Sequence, residues 1–102
     1  MKKEEKLKLA SFDASDYLAN EETIAEYLSA SLENPDPDAF LMAVRDVAKA
    51  RGISAVATTA GLGRESLYKT LKPGAQPRFS TVRRLLNALG VRLEVVPPST
   101  HA

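Results

Sequence analysis

The side chains best suited to recognition chemistry follow a Gly-Leu-Gly turn within ISAVATTAGLGRESLYKTL, residues 53–71. An arginine can bond a guanine at two points, a glutamate can accept from cytosine, and serine and lysine can bond a base or a phosphate. We predict that bases are read by Arg64, Glu65, Ser66 and Lys69. We predict that the phosphate backbone is contacted by Ser54, Tyr68, Lys72, Gln76 and Arg78.

Two short helices joined by a turn of a few residues are predicted to position these side chains. Ser54 is expected to cap the first helix, and Gly61 to end it in a left-handed conformation. Ala57 allows the two helices to cross closely, because its side chain is small. Gly63 opens the second helix, which runs to about Leu71 before KPGAQP forces a loop. This arrangement is typical of a DNA-binding helix-turn-helix, whose second helix enters the major groove.

Plainer interpretations of the second helix stay open. Its charged residues also suit an ordinary exposed helix surface, and Glu65 could orient Arg64 instead of meeting a base. Tyr68 could touch a sugar or a thymine methyl group, or it could pack against a neighbouring loop. The pattern therefore predicts which residues are exposed better than it predicts what each one contacts.

Charge is divided sharply along the chain, although the formal net charge is only +1. Residues 12–46 hold nine acidic residues and one base, whereas residues 53–90 hold six bases and one acidic residue. The basic stretch coincides with the predicted helix-turn-helix, as expected where lysine and arginine replace counterions along DNA phosphates. The acidic stretch is either a solvated surface that balances charge or a docking surface for a basic partner.

Three further helices are predicted around this pair. Each begins at a residue whose side chain can accept from the first free amides: Asp16 or Asn20, then Asp36 followed by Pro37, and finally Ser80. The second and the last of these helices are each expected to end at a glycine, Gly52 and Gly90. The sequence thus predicts a mainly α fold with five helices.

The segment VRLEVV, residues 91–96, alternates apolar and charged residues and predicts one C-terminal β-strand. Its backbone groups need a partner, and antiparallel pairing with a second copy would make a homodimer through Val91, Leu93 and Val95. Such a dimer would place two reading helices about 34 Å apart, one turn of DNA. The alternatives are pairing with residues 8–12, or burial under the last helix without regular pairing.

The composition argues against other classes of function. The chain has no cysteine, and its one histidine, His101, lies in the terminal PPSTHA sequence, far from any predicted core. The Gly-Leu-Gly turn lacks the spacing and the preceding strand of a nucleotide-binding loop. We therefore expect no enzymatic activity, no cofactor and no metal. No long apolar run or secretory signal occurs, so we expect a cytoplasmic protein.

A chain of 102 residues is long enough for one small domain. We predict that residues 16–97 form a single helix-turn-helix domain with an extra N-terminal helix and the C-terminal strand. Residues 1–15 are expected to form a flexible arm, and residues 98–102 a short tail.

Over residues 12–96 the chain resembles addiction-module antidote proteins, HigA-like antitoxins with a phage-repressor-type (XRE/Cro/C1-like) helix-turn-helix. The resemblance rests on DYLANEETIAEYL, NPDPDAFLMAVRDVAKARGIS and TAGLGRESLYKTLKPGAQPRFSTVRRLLNALGVRLEV, with Pro77, Phe79, Thr81 and Val82 at the junction of the loop and the last helix. It implies a five-helix, phage-repressor-like DNA-binding fold and dimeric repression of the protein's own operon. It also implies neutralisation of a small, basic RelE- or HigB-like toxin encoded by a neighbouring gene.

Carried over by position, the family's reading helix falls on residues 64–71, with Arg64, Glu65 and Lys69 facing the bases. Thr70 stands where phage-type repressors usually have a large apolar core residue, so we expect Leu71 to supply that packing. Because such toxins are basic, we expect the acidic N-terminal half to bind the toxin. The alternatives are a stand-alone phage-repressor-type regulator without a toxin partner, and an interaction module that no longer binds DNA.

Overall fold

The computed structural model describes residues 20–98, and within this range the chain forms five α-helices and no β-strand. In chain order they are α1 (Glu21–Leu32), α2 (Pro37–Arg51), α3 (Ile53–Ala60), α4 (Arg64–Thr70) and α5 (Phe79–Ala88). The predicted mainly α fold with five helices is confirmed. The predicted arm (1–15), the Asp16 cap, pairing with residues 8–12 and the tail with His101 concern residues 1–19 and 99–102, which lie outside the described residues.

The first two helices begin where the sequence predicts. Asn20 Oδ1 accepts a hydrogen bond from the Thr23 amide at 2.9 Å, and Asp36 Oδ1 accepts one from the Asp38 amide at 2.9 Å. Pro37 follows in the first turn of α2, where its missing N–H is not needed. These short-range bonds satisfy amides that the helix itself leaves free.

Gly63 begins α4 as predicted, whereas the predicted serine caps of α3 and α5 are wrong. Ser54 and Ser80 lie inside the first turns of α3 and α5, whose N-cap residues are Gly52 and Arg78 and make no side-chain cap bond. Gly52, at φ 106°, is both the C-cap of α2 and the N-cap of α3. The helix α3 therefore starts before Ser54. Arg78 is extended after Pro77 and leads straight into α5. Each helix therefore begins one residue before the serine, so the serine is already helical and cannot serve as the N-cap.

The core is built from the inner faces of all five helices. Its largest fully buried side chains are Ile24, Val44, Val47, Leu67, Leu71, Leu85 and Leu89. Burying one such side chain stabilises the fold by about 1.5–3 kcal/mol. Because Leu67 is the buried residue of α4, this short helix is fixed to the body in its middle and keeps its other side free.

The predicted C-terminal strand is wrong. Residues 91–98 have no regular secondary structure, and the Val91 amide donates to the Leu86 carbonyl at 3.0 Å as part of the end of α5. Leu93 is 42% exposed and Val95 101% exposed. A strand is stable only when its backbone pairs with a second one, and no other segment of residues 20–98 provides it. Alternation alone was therefore insufficient evidence.

Candidate nucleic-acid interface

The α3–α4 pair is joined by only Gly61, Leu62 and Gly63. Gly61 has φ 73° and donates its N–H to the Thr58 carbonyl at 3.1 Å, while the Leu62 amide donates to the Ala57 carbonyl at 2.8 Å. Together these two bonds satisfy the last carbonyls of α3 and reverse the chain within one residue. The prediction that Gly61 ends this helix in the left-handed region is confirmed.

Small and apolar side chains hold the two helices together. Ala57 is 3% exposed and Ala60 5% exposed, so both small side chains lie in the core. Val56 and Leu67 are buried on the same side, and Leu62 packs partly buried against the core. Since both helices are anchored in one core, the outer side of α4 has a fixed orientation relative to the rest of the protein.

Every residue predicted to read bases is exposed on α4. The four residues are Arg64, Glu65, Ser66 and Lys69. Leu67 is the buried residue of the same helix. The structure thus brings them together on one short surface, while base contact itself stays a prediction.

The residues predicted to contact phosphates fall in three places. Ser54 is exposed in the first turn of α3, and Tyr68 lies partly buried on α4. The loop after α4 carries the exposed residues Lys72, Gln76 and Arg78. Within this loop the Gly74 amide donates to Asp38 Oδ1 at 3.0 Å, which ties the loop to the beginning of α2. The loop candidates therefore project from a segment that is fixed at one point.

The end of α4 has the packing expected from its sequence. Thr70 Oγ1 donates to the Ser66 carbonyl one turn earlier, at 2.8 Å, so its hydroxyl is satisfied within the helix. Leu71 is 1% exposed and occupies the core directly after α4 ends. Leu71 therefore supplies the apolar packing that Thr70 does not.

Sequence reasoning missed Arg84, which stabilises the turn from the side of α5. Its Nε donates to the Ala60 carbonyl at 3.0 Å, and its Nη2 to the Gly61 carbonyl at 3.4 Å. Carbonyls at the C-terminal end of a helix carry partial negative charge, so a guanidinium there is favourable. Nothing in the sequence around Arg84 reveals this contact, since its acceptors lie more than 20 residues earlier.

A second missed residue, Arg45 of α2, lies against Tyr68 of α4. The guanidinium carbon is 5.8 Å from the centre of the tyrosine ring, within the range of a cation–π contact. This contact explains why Tyr68 is partly buried and packs against a neighbouring helix. The available sequence signal was that Arg45 is the one base in residues 12–46.

The acidic N-terminal half uses several of its carboxylates within the fold. Tyr27 Oη donates to Asp46 Oδ2 at 2.8 Å and joins α1 to α2. Burial, together with the hydrogen bond to Asp46 and its negative charge, raises the pKa of Tyr27 to about 12. Arg51 Nη2 lies 3.6 Å from Glu21 Oε2, a second link between these helices.

Two structural findings bear on other kinds of site. Within residues 20–98 no group of three or more His, Cys, Asp or Glu side chains is placed to hold a metal ion. In the same part of the chain no helix has the length and apolar character needed to cross a membrane. The predictions that the chain is not an enzyme and carries no cofactor or metal stay predictions.

Residues 20–98 define a small, mainly helical protein with an acidic first helix and an excess of bases from α3 to α5. A family model described as "Probable addiction module antidote protein" matches residues 8–97. An uncharacterized protein of Haemophilus influenzae is 38% identical over 87 residues, which cover 85% of this chain and 90% of that protein. No solved structure matches the chain.

The chain belongs to this addiction module antidote family, and this part of the predicted resemblance is confirmed. Membership of the family indicates an antitoxin role in an addiction module, with a toxin as the partner.

Proposed function

We propose that this chain is a DNA-binding, HigA-like antitoxin of a type II toxin–antitoxin module. It neutralises a small RelE- or HigB-like toxin by direct binding and represses its own operon. The observation that carries the proposal is the exposed polar side of α4, held by the α3–α4 pair in a member of the antidote family. The protein is not an enzyme, works without a cofactor or metal, and acts in the bacterial cytoplasm, where operator and toxin are found.

On the DNA side, the α3–α4 pair is a phage-repressor-type helix-turn-helix whose second helix lies in the major groove. Arg64, Glu65, Ser66 and Lys69 meet base edges, and each good bidentate contact contributes about 1–3 kcal/mol of discrimination. Ser54 and the loop after α4 bind phosphates on either side. Supporting this arrangement, the described part of the chain from residue 53 to residue 90 holds six bases and one acidic residue.

On the toxin side, the exposed side of α1 binds a basic partner with some apolar surface. Glu22, Glu26 and Glu33 are exposed at helical spacing, and among residues 20–98 none of them forms an ion pair. Beside them runs an apolar groove between α1 and the C-terminal segment, whose α1 side is formed by Ala25, Leu28, Ser29 and Leu32. Leu32 is 53% exposed. An apolar groove beside a row of carboxylates suits a basic, amphipathic segment of a toxin.

A homodimer completes the DNA-binding unit. Exposed apolar side chains follow α5 at Leu93 (42%), Val95 (101%) and Val96 (65%), and a second copy would remove them from water. Val91 is partly buried against its own core and ends α5, so it contributes less than the sequence suggested. A two-fold axis near this segment would present two α4 helices to one face of the DNA, about 34 Å apart.

The test combines the chain with the protein encoded by the adjacent gene. We expect that protein to arrest growth when expressed alone, and this chain to restore growth and to copurify with it. Charge reversal of Glu22, Glu26 and Glu33 to lysine should abolish rescue while leaving operator binding intact. Arg64→Ala with Lys69→Ala should do the opposite, because the two surfaces lie on different helices.

A stand-alone regulator would give a different result. Its neighbour would have no effect on growth, and the glutamate reversals would change nothing. If the Arg64 and Lys69 changes leave both the affinity for the upstream operator and its salt dependence unaltered, the DNA-binding part of the proposal is wrong.

A further inference from the structure

Arg45 is the one base among residues 12–46. Its guanidinium carbon lies 5.8 Å from the Tyr68 ring centre on α4. The neighbouring carboxylate of Asp46 accepts from Tyr27 on α1 instead. Within residues 20–98 Arg45 forms no ion pair, and its guanidinium lies against α4.

The donors of Arg45 are incompletely used. Its Nε is fully buried and has no hydrogen-bond partner in the described part of the chain, although the side chain as a whole is only partly buried. A guanidinium has five N–H donors and cannot lose its charge. Because Nε is buried without an acceptor and no ion pair compensates the charge, an anion beside the terminal nitrogens would stabilise the guanidinium electrostatically.

The exposed side of α4 shows where that anion would lie. Arg64 precedes Tyr68 by four residues, so both lie on one side of α4, with β-carbons about 5–6 Å apart. Tyr68 therefore has Arg64 one turn before it on α4, and the guanidinium of Arg45 from α2 lies against its ring. The positive charge of Arg45 therefore lies against the helix that carries the residues proposed to read bases.

We propose that Arg45 binds a phosphate of the DNA backbone through its terminal guanidinium nitrogens, with Tyr68 supporting it from below. The planar fork of arginine matches two phosphate oxygens, whose negative charge would offset that of the guanidinium. This inference rests on the proposed DNA binding and adds a contact from α2, outside the helical pair. Arg45 positions the protein on the duplex and reads no base.

The test measures affinity for a duplex from the region upstream of the gene, and for a scrambled duplex, over a salt series. Arg45→Met keeps the apolar stem and removes the charge, whereas Arg45→Lys keeps the charge. We expect Arg45→Met to lower the slope of log K against log salt by about 0.9 for each bound protomer, and Arg45→Lys to restore most of it. The ratio between the two duplexes should stay unchanged, since no base contact is lost.

Arg51→Met is the matched control, because it removes the same charge from the end of α2 that faces α1, where Arg51 lies 3.6 Å from Glu21. Its salt slope should equal that of the unmodified chain. Circular dichroism checks folding, and Arg45→Gln replaces Arg45→Met if the latter unfolds.

If the neutral Arg45 variant keeps the full slope while Arg64→Ala lowers it, the inference is wrong and DNA binding stands. A slope that is unchanged together with lost binding of the toxin also overturns it, in favour of a toxin contact. If the unmodified chain binds neither duplex, the proposed function itself fails.

Discussion

Replacing Arg84 with methionine tests whether the α3–α4 pair is held from α5. The change keeps a long apolar stem and removes the donors to the Ala60 and Gly61 carbonyls, at 3.0 and 3.4 Å. A hydrogen bond from a charged donor is worth about 1.5–3 kcal/mol, and only the shorter one has good geometry. Because Arg84 is largely exposed and water can replace part of the bond, we expect a loss of about 1–2 kcal/mol.

Urea unfolding followed by circular dichroism measures this loss as a lower midpoint with an unchanged m-value. In a domain of this size 1 kcal/mol corresponds to about 4–8 °C in Tm. Arg83→Met is the control. The guanidinium carbon of Arg83 lies 6.0 Å from the ring centre of Phe79, which is itself 64% exposed, so this change should lower the free energy of unfolding by under about 0.5 kcal/mol. Equal midpoints for the two variants would refute the idea that Arg84 stabilises the turn.

The remaining predictions concern the same framework. Gly61→Ala should cost about 1–2 kcal/mol in urea unfolding, because φ is 73° while a new Cβ meets only Arg84 Nη2, at 3.9 Å; an unchanged midpoint would contradict this strain. Leu71→Ala should cost about 2–5 kcal/mol by the same measurement, against under about 1.5 kcal/mol for Thr70→Ala, and the reverse order would show that Leu71 is not the anchor. Since the folded pKa of Tyr27 is about 12 and the unfolded value 10.0, stability should fall as pH rises from 10 towards 12, and Tyr27→Phe should lack that decline in alkaline urea titrations.

The sequence predicted correctly those features that depend on interactions between residues close together in the chain. Asn20, Asp36 and Gly61 act within three or four residues of themselves, and each behaves as its residue type suggests. Ser54 and Ser80 were misjudged because residues just before them already turn the chain into a helix. The strand predicted at residues 91–96 is not found for a related reason. Alternating apolar and charged residues indicate two different faces, but a strand also needs a second strand with which its backbone can pair.

The contacts that the sequence could not supply are those between helices distant in the chain. Arg84 reaches carbonyls 24 and 23 residues away, and Arg45 reaches a ring 23 residues further on. Either arginine would pass for ordinary exposed surface in a single sequence. Both depend on the angles at which α2 and α5 pack on the α3–α4 pair, which are set by the shared core.

The structure also separates the acidic residues into two groups that the sequence left as one. Some carboxylates serve the fold: Glu21 with Arg51, Asp36 at the start of α2, Asp38 with Gly74, and Asp46 with Tyr27. Glu22, Glu26 and Glu33 serve no such contact within residues 20–98 and share one side of α1. These three exposed carboxylates lie beside an apolar groove, and this position is the basis of the proposed toxin-binding surface. Their common position is what a docking surface for a basic partner requires.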